Sequence, residues 1–233
     1  MQTHLDRLSS LDASFLTNES SNSHMHVGAV LIFEGPPPSY DDLLEHVRSR
    51  LGLVPRYRQK LAFPPAELGR PFWIDDSTFN LAYHVRHSAL PAPGSEEQLR
   101  NLAGRLFSQA LDRSKPLWEL WLIQNLEKNR FALINKTHHA LVDGVSGVDI
   151  ATVLFDVKPV PERIEEDTPW VPSPPPSPAE LAAEGVRELA ETPVKLGLRA
   201  LRAARHPRRT ASKATEAAEA LGEVAWNFTN PAP

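Results

Sequence analysis

Residues 135–147 read NKTHHALVDGVSG, with His138 and His139 standing five and four residues ahead of an Asp143-Gly144 pair. An imidazole with an ordinary pKa of ~6.5 can take a proton at cellular pH. A carboxylate can orient it, and a glycine at a helix start lets backbone approach closely while leaving N–H groups free. Each residue also has a plainer role: a histidine satisfied in the core, or an aspartate capping a helix N-terminus. Grouped where a strand runs into a helix, they supply a base, an orienting carboxylate and a donor-rich helix end. Those are the parts needed for acyl transfer without a covalent intermediate. Alternation along a strand sends the two histidines to opposite faces, one with Lys136 and the other with Asn135 and Thr137. That excludes a metal ion held by both.

The elements that must hold this group can be read from periodicity. The run HMHVGAVLIF is apolar and β-branched and predicts an interior strand over 25–34. Leu43, Leu44, Val47 and Leu51 recur at helical spacing ahead of Gly52 and predict a helix over 40–51. Ser95 can cap a second helix, 95–111, with acids in its first turn and Leu99, Leu102, Ala103 and Leu106 on one face. FWI and AYHVRHS suggest two short strands, and LWELWLIQNL and RFALINKTHH read as a β-hairpin closed by EKN. The hairpin strands, 117–125 and 131–138, join 25–34 in a mixed sheet, with a third helix, 144–156, after Gly144. The fold class is therefore α/β.

Composition narrows the function. The 233-residue chain has no cysteine, so thiolate nucleophiles and Cys-bound metals are excluded. A net charge of −4 gives no field for nucleic acid. No segment reaches 18 continuous apolar residues and the N-terminus lacks the pattern of a signal peptide, so the sequence reads as cytoplasmic and not membrane-spanning. Composition shifts near residue 157, giving an N-terminal lobe over 1–157, a Pro-rich linker over 158–178 and a helical segment over 179–233 with weak apolar faces.

Other residues besides the histidine pair could carry chemistry. His24 and His26 share a strand face and could ligate a metal, but no third ligand stands at recognisable spacing. Core-edge histidines are the plainer reading. Ser146 in GVSG does not fit a nucleophile elbow, because a glycine follows it immediately. Trp118 and Trp121 are three apart in a strand and face opposite ways, which puts one of them in the core. Lys195, Arg199, Arg202 and Arg205 line one helical stripe within an acid-free stretch over 195–213. A solvated helix face is the plainer reading; adhesion to an anionic membrane or lipid-inclusion surface is the alternative.

HHALVDG is an HHxxxDG motif, as in acyltransferases of the chloramphenicol acetyltransferase-like and peptide-synthetase condensation superfamily. Together with LSSLDASFL, HMHVGAVLIFEG, LDRSKPLWELWLI and NKTHHALVDGVSG, it resembles the bacterial wax ester synthase/diacylglycerol acyltransferase family over about residues 4–156. The resemblance implies a chloramphenicol acetyltransferase-like lobe. It implies His139 as general base, with His138 supporting, Asp143 orienting and Gly144 admitting close approach. Pro116, Trp118 and His26 would line the substrate. The substrates implied are an acyl-coenzyme A and a diacylglycerol or long-chain alcohol, with no cofactor. The family is about twice this length, so a C-terminal lobe is the expected partner, leaving His139 open and an apolar sheet face uncovered. A condensation half-domain and a non-catalytic binding lobe are the alternatives. The Pro-Leu-Trp-Glu segment, 116–119, speaks against the first and the intact motif against the second.

Overall fold

A computed structural model describes residues 6–67, 69–142, 169–188 and 190–191. In chain order the elements are β1 (Asp6–Arg7), α1 (Ser10–Asn18), β2 (His26–Glu34), α2 (Tyr40–Arg50), β3 (Gln59–Ala62) and β4 (Phe72–Asp75). They continue with α3 (Leu81–His84), β5 (Val85–Ala89), α4 (Glu96–Phe107), β6 (Trp118–Leu126), β7 (Arg130–His138) and α5 (His139–Val142). Contacts divide the chain into units 1–182 and 183–233. In the second, 183–188 and 190–191 are helical, and Arg187 pairs with Glu184 and Glu191. The predicted helix 144–156, the basic stripe and all of the helical segment 179–233 except 179–188 and 190–191 lie outside the described residues.

The main sheet has the order β2-β7-β6-β5. β7 pairs antiparallel with both β2 and β6, while β5 runs parallel to β6, so the sheet is mixed as expected. β6 and β7 form the anticipated hairpin. Lys128 and Asn129 take left-handed φ values of 63° and 53° in its turn, and a bulge between Ile123 and Leu126 leaves Asn125 at φ 62°. A smaller sheet, β1-β4-β3, stands apart from it. It was foreseen only as the FWI strand.

Two apolar clusters hold the main sheet. On one face Leu99, Ala103 and Leu106 of α4 meet Ile123, Ala132 and Ile134. On the other, Leu120, Leu122 and Leu133 pack with Leu43 and Val47 of α2, Tyr57 and Trp118. The first face depends on how α4 is bounded. Ser95 and Gln98 form a reciprocal capping box at its start. At its end the Lys136 ammonium donates to the carbonyls of Leu106 (3.0 Å) and Gln109 (2.9 Å). His26 Nε2 donates to Phe107 O (2.9 Å) and His24 Nε2 to Ser108 O (3.0 Å). Groups from the sheet thus take the last carbonyls, at the end where the helix dipole favours positive charge. This is why α4 stops at Phe107 and not at the predicted residue 111.

Two further elements differ from expectation. AYHVRHS is a strand only from Val85, because Asn80 caps a helical turn over Leu81–His84. α1 was not foreseen as a helix; Ser9 caps it by accepting from Asp12 N–H at 3.0 Å. The described part of the Pro-rich stretch is strapped to the lobe. Trp170 lies under the Arg58 guanidinium and edge-on to Phe79, and Ser173 N–H donates to Asp75.

Trp118 has no exposed surface and its Nε1–H donates to Tyr57 O at 2.8 Å, while Trp121 is half-buried. Trp118→Ala should therefore lower unfolding free energy by ~3–5 kcal/mol. Trp121→Ala should cost much less. Urea unfolding of both variants checks this, and similar midpoints would contradict the packing described.

Candidate active site

β7 ends at His138 and the chain becomes helical at His139, so the two histidines part company at the junction. His138 is fully buried and pairs in register with His26 of β2. Its backbone N–H donates to Leu117 O at 3.0 Å. His139 is half-buried; its backbone N–H donates to Met25 O at 2.9 Å, and its ring stacks on Phe15 of α1 with centroids 4.9 Å apart. The expectation of a nearly open His139 is corrected here: Phe15 covers one face of the ring. An apolar run, 131–134, followed by the buried polar run 135–138 brings β7 to this point, and α1 supplies the platform.

The surroundings of His138 are charged but closed. His138 Nδ1 accepts from Ala140 N–H at 3.0 Å. Its Nε2 is 3.6 Å from Glu19 Oε2, an electrostatic contact longer than a hydrogen bond. Burial pushes the His138 pKa down to about 4, against the pull of Glu19. Burial works the other way on Glu19, yet hydrogen bonds from Arg113 and Met25 N–H outweigh it and hold that carboxyl below its ordinary value. Arg113 grips Glu19 Oε2 through Nε (3.0 Å) and Nη2 (2.7 Å). Deeper in the sheet, burial lowers the Lys136 pKa, opposed by Glu119 at 3.6 Å.

Among the candidate lining residues, Pro116 and Trp118 are both buried. They lie beneath the junction: Trp118 pairs with Thr137, and Leu117 between them holds the His138 backbone. In this lobe they pack under the junction and shape it from below. His26 is half-buried with its Nε2 committed to the end of α4. His24 and His26 stack at 5.5 Å, each with Nε2 donating to a carbonyl at the end of α4. Among the described residues no group of three or more His, Cys, Asp or Glu could hold an ion. Asp143 and Gly144 lie outside the described residues. Sequence reasoning missed Phe15, Glu19 and Arg113. Arg113 sat inside a quoted motif, but nothing in its spacing announced a partner ninety-odd residues away.

Similarity to known proteins bears on the fold and the family. The lobe superimposes on the starter condensation domain of rhizomide synthetase with a TM-score of 0.51 at 14% identity, over 65% of this chain and 36% of that one. At that identity the likeness defines the fold: an α/β lobe of the condensation-domain type. A closer match is the wax ester synthase/diacylglycerol acyltransferase from Marinobacter aquaeolei VT8, with a TM-score of 0.52 and 35% identity, over 60% of this chain and 34% of that one. The model of the wax ester synthase/diacylglycerol acyltransferase catalytic domain matches residues 8–232, and the chain belongs to that family. The probable diacylglycerol O-acyltransferase tgs3 of Mycobacterium tuberculosis is 49% identical over 168 residues, 71% of this chain and 62% of that protein. The probable diacylglycerol O-acyltransferase tgs1 of the same organism is 38% identical over 154 residues, 65% of this chain and 33% of that protein. The chain thus spans less than two thirds of the length of the curated relatives it matches.

No described helix is long and apolar enough to cross a membrane.

Proposed function

We propose that this chain is the base-bearing lobe of an acyl-coenzyme A-dependent O-acyltransferase. Its acceptor is a diacylglycerol, giving triacylglycerol, or a long-chain alcohol, giving a wax ester. The observation that carries the reading is the strand-to-helix junction at 138–139, which buries one imidazole and sets the other, His139, at the surface of the sheet end against Phe15. The family membership and the names of tgs3 and tgs1 support diacylglycerol as acceptor.

His139 acts as general base. Its ring nitrogen takes the proton of the acceptor hydroxyl as that oxygen attacks the thioester carbonyl carbon. The C–S bond then breaks, and the departing thiolate recovers the proton from the imidazolium to give free coenzyme A. No cofactor is required. His138 supports the turn, and Asp143 and Gly144 complete the motif as orienting carboxylate and close-approach glycine. General-base action contributes ~10²–10⁴-fold, so positioning and stabilisation of the oxyanion supply the remainder.

The substrates need a second wall that excludes water from the thioester. We assign that wall to a second lobe, on the same polypeptide or on another. One edge of the sheet agrees with such a partner: β2 exposes Val27, Val30 and Ile32, each about 40% accessible. Residues 1–233 alone should show no useful transfer from acyl-coenzyme A to either acceptor, and mixing with a chain that carries a second lobe should restore it. Efficient acylation by residues 1–233 as a monomer would refute the need for a second wall. Absence of transfer to both acceptors by the combined lobes would refute the acyltransferase reading.

A further inference from the structure

One carboxylate touches both sides of the histidine junction. Glu19 Oε1 accepts from Met25 N–H at 3.2 Å, and Met25 O in turn accepts from His139 N–H. Glu19 Oε2 lies 3.6 Å from His138 Nε2 while Arg113 holds it with two donors. Arg113 Nη2 also donates to Leu16 O at 2.8 Å, tying α1 to the loop before β6. The backbone N–H of Glu19 ends α1 by donating to Phe15 O, the residue that stacks on His139.

The ring proton of His138 can be located from these contacts. Ala140 N–H can only donate, so His138 Nδ1 must present its lone pair, and the proton must sit on Nε2. Nε2 is buried with no hydrogen-bond partner, and the group it approaches is Glu19. A negative acceptor there favours the proton on Nε2. A donor there would favour the other tautomer, and a protonated Nδ1 would oppose Ala140 N–H and open the turn.

We propose that Glu19, clamped by Arg113, is a positioning residue: it keeps the His138 proton on Nε2, and so keeps the 138–140 turn that presents His139. The catalytic side of this rests on the general-base reading above. The structural side does not.

The test uses the 1–233 chain with ¹⁵N-labelled histidine. In the wild type, His138 should show a protonated Nε2 and a bare Nδ1 at neutral pH; a proton on Nδ1 overturns the proposal before any variant is made. Glu19→Gln removes the negative charge that faces Nε2; with Arg113 holding the amide oxygen, its NH2 opposes Met25 N–H, so the link from Met25 to the His139 backbone weakens as well. The substitution should shift His138 toward the Nδ1–H tautomer and speed exchange of the Ala140 amide at least ~10-fold, while Glu19→Asp should retain most of the wild-type pattern. In the complete enzyme Glu19→Gln should lower kcat by up to ~10²-fold, the cost of a small misplacement, with KM little changed. An unchanged tautomer or Ala140 exchange rate in Glu19→Gln overturns the proposal whatever the activity. A shifted tautomer with full kcat, in an enzyme that His139→Ala inactivates, overturns it as well. Full activity of His139→Ala would instead refute the general-base reading.

Discussion

Replacing His139 by alanine is expected to reduce transfer by the complete enzyme at least ~10²–10⁴-fold, the factor that general-base action contributes. The loss should appear in kcat, since the ring is required to move a proton and not to hold the acyl chain. His138→Ala should behave differently. That ring is buried, its Nδ1 holds the turn, and its backbone is pinned to Leu117. Its removal should lower expression and stability first and activity second. A pH profile separates the two imidazoles. His138 takes a proton only near pH 4, so an acid limb of kcat above pH 5 belongs to another group. If that group is His139, the residual activity of His139→Ala should lack the limb. Wild-type kcat in His139→Ala, or an unaltered limb, would remove the mechanism.

The second large effect is on stability in acid. Burial pushes the pKa of His84 down to about 4, as it does that of His138. His84 is sandwiched between Phe79 and Trp118, donating from Nδ1 to Trp118 O at 2.9 Å; Arg86 opposes its protonation and Glu119 and Asp76 favour it. Around His138, Glu19 favours protonation, while Arg113 and His139 oppose it. A histidine with a folded pKa near 4 and an unfolded value near 6.5 binds its proton more readily in the unfolded chain. Its contribution is complete above the unfolded value and is lost as pH falls toward the folded one. Each histidine then accounts for on the order of 3 kcal/mol between about pH 6.5 and 4. Two of them amount to much of a typical domain's 5–15 kcal/mol. Urea midpoints should fall steeply from pH 7 to 4.5, and His84→Gln, which keeps a donor for Trp118 O, should flatten about half the slope. A midpoint constant over that range would contradict the burial of both rings.

The parts of the fold legible in the sequence were those where one pattern dominates. β2, β6 and β7 were placed within a residue or so because continuous apolar runs and a short polar turn admit few alternatives. α4 was legible at its start, where cap and acids are local, and not at its end. There the helix is stopped by Lys136 of β7, His26 of β2 and His24 just before β2. α1 escaped notice because its nine residues bury only Asp12 and Leu16, too little to make a periodic stripe. The candidate site divides in the same way. His138 and His139 were visible as a motif; alternation anticipated that they part, but what parts them is the end of β7 at His138, where the chain turns helical. Phe15, Glu19 and Arg113 were not, since stacking and a carboxylate clamp between residues far apart in the chain leave no spacing to read.

The register of β2 against β7 bears on how the protein is made. His26 lies opposite His138 and Glu34 opposite Arg130, a separation of roughly a hundred residues in the chain. A ribosome adding ~5–20 residues per second leaves β2 waiting about 5–20 s for its partner. The β6–β7 hairpin, by contrast, can close as soon as it emerges. During that interval the nascent chain carries an apolar nine-residue strand with both edges bare, and at high translation rates many such chains share one cell. Slower synthesis at reduced temperature, or co-production of a chaperone that shields extended apolar segments, should therefore raise the soluble yield more than any change to the buffer after lysis.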